Sequence, residues 1–210
     1  MNKMVRSLLK YVPNDQWILT QSHLPWLKLQ LSIPTNEILR EANTLYESAI
    51  EHRSNDNFAE YQHQGWKALT IFGHSSSTTT DSDHTFHWTD IADQCPVTVD
   101  FIKQHWIIDH TTKRIRFMWL DPGGFILPHN DRDARGFYET NIAIKQPDDC
   151  KFRFLDYGTV PFESGSAYMV DISQRHLVVN MSNQVRTHMI VHAQLKPGLL
   201  KQSYEQNFYS

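Results

Sequence analysis

The chain has 210 residues, 40% of them hydrophobic, with six Trp, eight Tyr and eleven Phe, and a formal net charge of -3. That length and apolar content suit one folded domain with a sizeable core and exclude a disordered chain. No long basic or acidic block is present, so neither nucleic acid nor a membrane is expected as a partner.

Cys95 and Cys150 are too few for a disulfide framework. The opening residues MNKMVRSLLKYVPNDQW lack the apolar stretch of a secretory signal, and no run approaches the ~20 apolar residues that span a bilayer. The expectation is a cytoplasmic protein in a reducing compartment. Twelve His are present; most read as ordinary surface residues.

In chain order, apolar positions at Ile38, Leu39, Ala42, Leu45, Tyr46, Ala49 and Ile50 recur at threes and fours. This spacing predicts an amphipathic helix from Pro34 to His52, with Pro34 and Glu37 favouring its start. GWKALTIF (Gly65 to Phe72) reads as a strand, and the polar GHSSSTTTDSDH after it as a surface loop. Residues 74–83 of that loop fit a lid over a pocket mouth. His84 and His87 have the spacing of a metal pair but no companion ligands, which argues against a site there. A second helix starts near Pro96 and runs through Phe101, Ile102 and Trp106, against the β-branched Val97, Thr98 and Val99.

From Arg114 the pattern turns to β. Ile115, Phe117 and Trp119 alternate with Arg116, Met118 and Leu120, and Asp121-Pro-Gly-Gly reads as a turn. Short strands follow at Phe125 to His129, Glu139 to Ile144, Cys150 to Leu155, Ala167 to Ile172, His176 to Asn180 and Val185 to Ala193. About eight short, evenly spaced strands indicate a mainly β fold whose core is a double-stranded β-helix, or jelly roll. The whole of 1–210 is then a single domain. Residues 1–110 form a helical and strand layer on the core, 111–195 the jelly-roll core with the site, and 196–210 a C-terminal tail.

The chemistry gathers in PHNDR (Pro128 to Arg132) and RHLVVNMSNQVRTH (Arg175 to His188). His129 and Asp131, two apart in an extended segment, point to one face and can reach one ion together. His176, at the start of a later strand, can meet them across a barrel. Two His and one carboxylate are the set that holds non-haem Fe(II) and leaves positions open. Arg186 offers a planar fork matched to a carboxylate, and His188 shares its face. Taken singly, His129 reads as a turn residue and Asp131 as a solvated loop acid; with His176 and Arg186 in this order they read as a site. Asn180 could orient the loop or His176. His192 reads as structural, and Tyr168, Trp119 and Met118 as core. Arg153, Asp156 and Asp171 have no assignment.

IRFMWLDPGGFILPHND, the N-x-A-I strand and GSAYMVDISQRHLVVNMSNQVRTHMIVH together resemble the aspartyl/asparaginyl β-hydroxylases and bacterial proline hydroxylase-like enzymes. Those are Fe(II)- and 2-oxoglutarate-dependent oxygenases on a jelly-roll core. The resemblance covers about residues 114–193. It implies that His129, Asp131 and His176 hold Fe(II), and that Arg186 binds the distal carboxylate of the co-substrate 2-oxoglutarate. It further implies hydroxylation of an amino acid, free or within a peptide.

Two departures stand out. Asp131 completes a three-ligand set where the best-known aspartyl/asparaginyl enzymes keep only two His. Glu139-Thr-Asn141 replaces an Arg-x-His that contacts the other end of 2-oxoglutarate; Asn141 can still donate there, but Glu139 would repel a carboxylate. His188 is a further candidate for contact with co-substrate. The rival readings are a non-catalytic metal-binding jelly-roll sensor, disfavoured by the intact ligand set with its Arg, and a cupin-like metalloenzyme without 2-oxoglutarate, disfavoured by Arg186.

Overall fold

The computed structural model describes residues 24–52, 62–77, 86–131 and 139–209. Among them, 11 strands form one antiparallel sheet that curls on itself, and two short strands pair separately. No helix among the described residues is long and apolar enough to cross a membrane.

The chain enters through β1 (Trp26–Leu29) and helix α1 (Thr35–Leu45), whose buried Ile38, Ala42 and Leu45 form the expected stripe. The helix stops earlier than its periodicity predicts. A 3-10 turn at Tyr46–Ser48 leads into β2 (Ile50–Glu51), which pairs with β3 (His63–Gly73). Pairing of Ile50 with Ala68, and donation of the His52 N–H to the Trp66 carbonyl at 2.7 Å, override the helical period. After β4 (His87–Trp88), helix α2 (Pro96–His105) begins as expected, with Pro96 in the first turn. The Glu41 carboxylate of α1 caps it, accepting from the N–H groups of Val97 and Thr98 at 2.8 and 2.9 Å and the Thr98 hydroxyl at 2.6 Å. An anion at a helix start meets the positive end of the helix dipole. That cap outweighs the poor helix propensity of Val97, Thr98 and Val99.

β5 (Trp106–Ile107) is followed by β6 (Ile115–His129), which belongs to both faces of the barrel. Its first half pairs with β12 (Arg186–His192) and its second with β11 (His176–Asn180), while β3 runs beside both halves. Asp121-Pro-Gly-Gly is therefore not the turn between two separate strands that its composition suggests. It is a bulge opposite Gly65 that carries one strand around the barrel corner. Gly65 sits at φ 65° and Gly123 at φ 73°, where side chains are strained. A Cβ on Gly124 would lie 2.8 Å from the Asp121 carbonyl oxygen and 2.9 Å from that of Gln64. Asn180, fully buried, donates to the carbonyls of Leu120, Asp121 and Gln184 and ties the bulge to the β11–β12 turn. It orients that loop, not His176. On the outer side Tyr46 donates to Asp121 at 2.5 Å, and Lys67 donates to Tyr46 and pairs with Asp121.

The larger face continues β1–β10–β7–β12, with β7 at Glu139–Lys145 and β10 at Ser166–Val170; the smaller continues β11–β8–β9, with β8 at Cys150–Phe154 and β9 at Gly158–Thr159. These strands follow the predicted order, and the jelly roll is as expected. Both faces of the first half of β6 are buried because each meets a different core. Phe117 and Trp119 join Ile142, Met189 and Val191 under α1 and α2, while Met118 and Leu120 face the interior with Trp66, Phe152, Phe154, Tyr168 and Val178. After β13 (Gln194–Leu195), which pairs with β5, the segment expected as a tail forms helix α3 (Leu199–Tyr209) with Leu200, Ser203 and Tyr204 buried. Ser203 accepts from the Gln30 N–H at the edge of β1. Cys95 and Cys150 are both free and buried.

Because β6 turns the corner, its two ends lie at the same end of the barrel. Gly124→Ala should disturb that corner, since its new methyl group meets two backbone oxygens. Overpacking of this kind costs about 1–3 kcal/mol, and the melting temperature of a domain this size falls roughly 2–4 °C per kcal/mol. Calorimetric melting of the variant checks this, and an unchanged Tm would show that the bulge is not sterically constrained.

Candidate metal centre and anion pocket

His129 ends β6 and His176 begins β11, and the two are register partners with ring centroids 4.3 Å apart. Asp131 follows two residues after His129, its N–H donating to the Ile172 carbonyl at 3.0 Å. The possible ligand atoms of the three residues all lie within 4.8 Å of one another, the one such group among the described residues. The two imidazoles are oriented alike. His129 Nδ1 donates to the Leu127 carbonyl at 2.8 Å and His176 Nδ1 to that of Gln174 at 2.9 Å. A proton fixed on each Nδ1 leaves each Nε2 lone pair for a metal, the arrangement by which a backbone carbonyl sets a ligand's tautomer. Burial, with His129 close by, pushes His176 down to about 4, so it is neutral at neutral pH. Phe152 stacks on its ring at 5.1 Å and 4°. Two imidazoles that each turn Nε2 toward the site and one carboxylate suit a divalent ion of the Fe(II) type.

The cavity containing this group extends inward to Arg186, His188 and Asn141. Arg186 is only 4% exposed, and its Nε has no hydrogen-bond partner among the described residues. Its Nη2 lies 2.8 Å from His188 Nδ1, and among the described residues no carboxylate pairs with it. Burial lowers the guanidinium to about 10, still charged at neutral pH. His188 is fully buried, and burial together with Arg186 holds it well below its ordinary value, hence neutral.

The neutral ring has one N–H, and Gln146 decides where it sits. The Gln146 amide nitrogen donates to the Cys150 carbonyl at 2.5 Å, which turns its oxygen to His188 Nε2 at 2.8 Å. His188 therefore donates from Nε2 and accepts at Nδ1 from Arg186. Nδ1 also lies 2.6 Å from the Asn141 side-chain oxygen. A bare Nδ1 cannot donate to that oxygen, so the Asn141 amide turns its nitrogen toward the ring and shares the one Nδ1 lone pair with Arg186.

The structure thus brings together His129, Asp131 and His176, and separately Arg186, His188 and Asn141, within one cavity. Glu139 takes no place beside Arg186. It lies at the other end of β7 with Arg114 and His192, where it lines the same cavity. Met118, expected only in the core, also lines the cavity; Tyr168 and Trp119 are core residues as expected. Arg153, Asp156 and Asp171 do not line it. His74–Ser77 of the polar loop follow the end of β3 that pairs with Ile115 and do not line it either; residues 78–83, and His84, lie outside the described residues. His87 is exposed in β4. Gln146 and Arg116 escaped sequence reasoning: the first sits in a polar turn and the second in a strand whose alternation marks only one face.

Comparison with known proteins agrees with this geometry. The family model described as Aspartyl/Asparaginyl beta-hydroxylase matches residues 34–195. No curated protein sequence matches. Among solved structures, a prolyl hydroxylase from Trichoplax adhaerens, in complex with a hypoxia inducible factor oxygen degradation domain peptide fragment, is similar with TM-score 0.55 and 10% identity, over 98% of this chain and 97% of that one. A 2OG-Fe(II) oxygenase family oxidoreductase from Burkholderia pseudomallei gives TM-score 0.54 and 11% identity, over 85% and 89%. At such identities the likeness shows a shared fold. The family model spans both the His-Asp-His group and Arg186, and this chain belongs to the Aspartyl/Asparaginyl beta-hydroxylase family, as an oxygenase.

Proposed function

We propose that this oxygenase uses Fe(II), held by His129, Asp131 and His176, with 2-oxoglutarate as co-substrate, to hydroxylate an amino acid. The observation that carries the reading is Arg186: a buried guanidinium without a carboxylate partner among the described residues, inside the cavity that holds a two-His, one-carboxylate group. Desolvating an ion costs several kcal/mol unless it is paired, so such a cation implies an anionic ligand. A dicarboxylate reaching from the metal group to Arg186 satisfies both ends.

Iron and 2-oxoglutarate, when bound, supply oxygen activation, with conversion to succinate and CO2 coupled to hydroxylation. The chain's own residues bind, orient and exclude water. Arg186 pairs with the C5 carboxylate through its fork, and His188, fixed as acceptor by Gln146, holds the guanidinium in place. Asn141 presents an amide toward the same end. The Nδ1 bonds of His129 and His176 keep both lone pairs on the metal side. Phe152, Val178 and Ile126 wall the centre with apolar surface.

Two outcomes are expected. Arg186→Ala should weaken 2-oxoglutarate binding and leave metal binding nearly intact. Truncating one partner of a buried charge pair costs about 2–5 kcal/mol, or roughly 30- to several-thousand-fold in affinity; equal affinity in calorimetric titration would remove Arg186 from the co-substrate site. Asp131→Ala should lower iron affinity by more than the roughly 10–100-fold that loss of an outer-sphere partner costs. It should also nearly abolish coupled turnover while the fold survives. Succinate and hydroxylated product measured together on a panel of amino acids and short peptides test this, and substantial coupled turnover in the variant would mean that two His suffice.

A further inference from the structure

We propose that Phe162 sets the length of diacid the cavity accepts, by fixing how deep the Arg186 guanidinium sits. The proposal rests on the co-substrate reading above and names a specificity-determining residue for that same site.

Three side chains stand in line at the inner end of the cavity. Arg186 rests against His188, its Nη2 donating to Nδ1 at 2.8 Å. His188 rests against Phe162 in a T-shaped contact, with ring centroids 4.9 Å apart and planes at 73°. Arg186 and His188 line the cavity, and Phe162 does not. Phe162 lines instead a surface groove with Gln146, Cys150 and Val160, none of which lines the cavity. His188 therefore separates the cavity from Phe162, and Phe162 separates His188 from the groove.

The ring is held from several sides. Tyr168 packs on it at 4.9 Å and Phe152 at 6.0 Å, both in T-shaped contacts. The Tyr168 hydroxyl donates to the Pro161 carbonyl at 2.9 Å, and the Phe162 N–H donates to the Val160 carbonyl at 2.8 Å. Beyond the ring, the Gly165 N–H donates to the Ala143 carbonyl at 2.7 Å, and the Ser164 hydroxyl accepts from the Gln146 N–H at 2.9 Å. The segment that carries Phe162 is thus tied to β10 before the ring and to β7 after it. Close-packed groups in such a setting transmit strain and yield little volume. The guanidinium in front of them cannot be pushed back to admit a longer chain.

Behind the ring, the groove offers about 360 Å³ of free volume, far more than one methylene needs. The length limit therefore lies in one side chain and not in the bulk of the barrel. A diacid one methylene longer than 2-oxoglutarate, held by its 2-oxo acid end at the metal group, meets the guanidinium too early. Without the ring, His188 and Arg186 can settle back toward the groove. Gln146, half-buried at that groove, keeps the His188 tautomer as the ring recedes.

The test titrates 2-oxoglutarate and 2-oxoadipate calorimetrically into the full chain loaded with Mn(II) under argon. The wild-type chain should bind 2-oxoadipate roughly tenfold or more weaker than 2-oxoglutarate, the discrimination one methylene gives in a fitted pocket. In Phe162→Ala that ratio should fall by roughly tenfold, and in Phe162→Leu by an intermediate factor. The ratio compares two ligands on one protein, so a general loss of stability or of metal cancels from it. Phe101→Ala, which empties a core position in α2 away from both cavity and groove, should lower Tm and leave the ratio at its wild-type value. Equal binding of the two diacids by the wild-type chain overturns the proposal. So does an unchanged ratio in the Phe162 variants, or an equal fall in Phe101→Ala. Each of these leaves the oxygenase reading standing as long as 2-oxoglutarate binds, whereas failure of the wild-type chain to bind it overturns both. The wild-type comparison needs no variant, so a substitution that misfolds cannot rescue the idea.

Discussion

Arg186 carries its charge into the barrel interior, and the described residues supply no carboxylate to meet it. Much of the surrounding structure follows from holding that cation where a ligand can reach it. His188 must be neutral and must accept, so its one proton is kept on the far side of the ring by Gln146, whose own amide is turned by the Cys150 carbonyl. A backbone carbonyl on β8 thereby orients a guanidinium on β12 through two side chains. Buried polar networks of this kind are stable only when each member is satisfied, which makes Nε of Arg186 conspicuous as the donor left over.

The second constraint is the corner in β6. A strand passing from one face of a jelly roll to the other reverses its direction along the barrel, so its start and its end come to the same mouth. The metal group at the end of β6 and Arg114 and Arg116 at its start come to line one cavity for that reason, although Arg116 and His129 are thirteen positions apart in sequence. Gly65 and Gly124 let the bulge close, and Asn180 binds it to the turn that leads into Arg186. One local device therefore sets the depth of the anion site and the placement of the metal site together.

Periodicity made much of this legible in advance. Period-two runs located β7, β8, β10, β11 and β12 to within one or two residues, and His129, Asp131, His176 and Arg186 could be picked out by type and spacing. What periodicity missed has physical causes. The apolar spacing of α1 continues through Ala49 and Ile50, but strand pairing with β3 claims Ile50. Asp-Pro-Gly-Gly has turn composition, and only pairing with β3, β11 and β12 shows that the strand continues through it. Gln146 sits in a polar stretch where side chains are usually solvated; its role arises from a tertiary contact 42 residues away in sequence. Glu139 looked like an obstacle to a carboxylate because its strand was known but not which end of it faced Arg186.

The central claim is that the buried guanidinium and the metal group together recognise a dicarboxylate. The most direct test compares 2-oxoglutarate with 2-oxobutyrate, which keeps the keto acid that chelates a metal and lacks the distal carboxylate. Titrated into the Mn(II)-loaded wild-type chain, 2-oxoglutarate should bind tighter by roughly 30-fold or more, the loss expected when one partner of a buried charge pair is removed. Equal affinities would mean that Arg186 meets no carboxylate of the co-substrate, and would contradict the account.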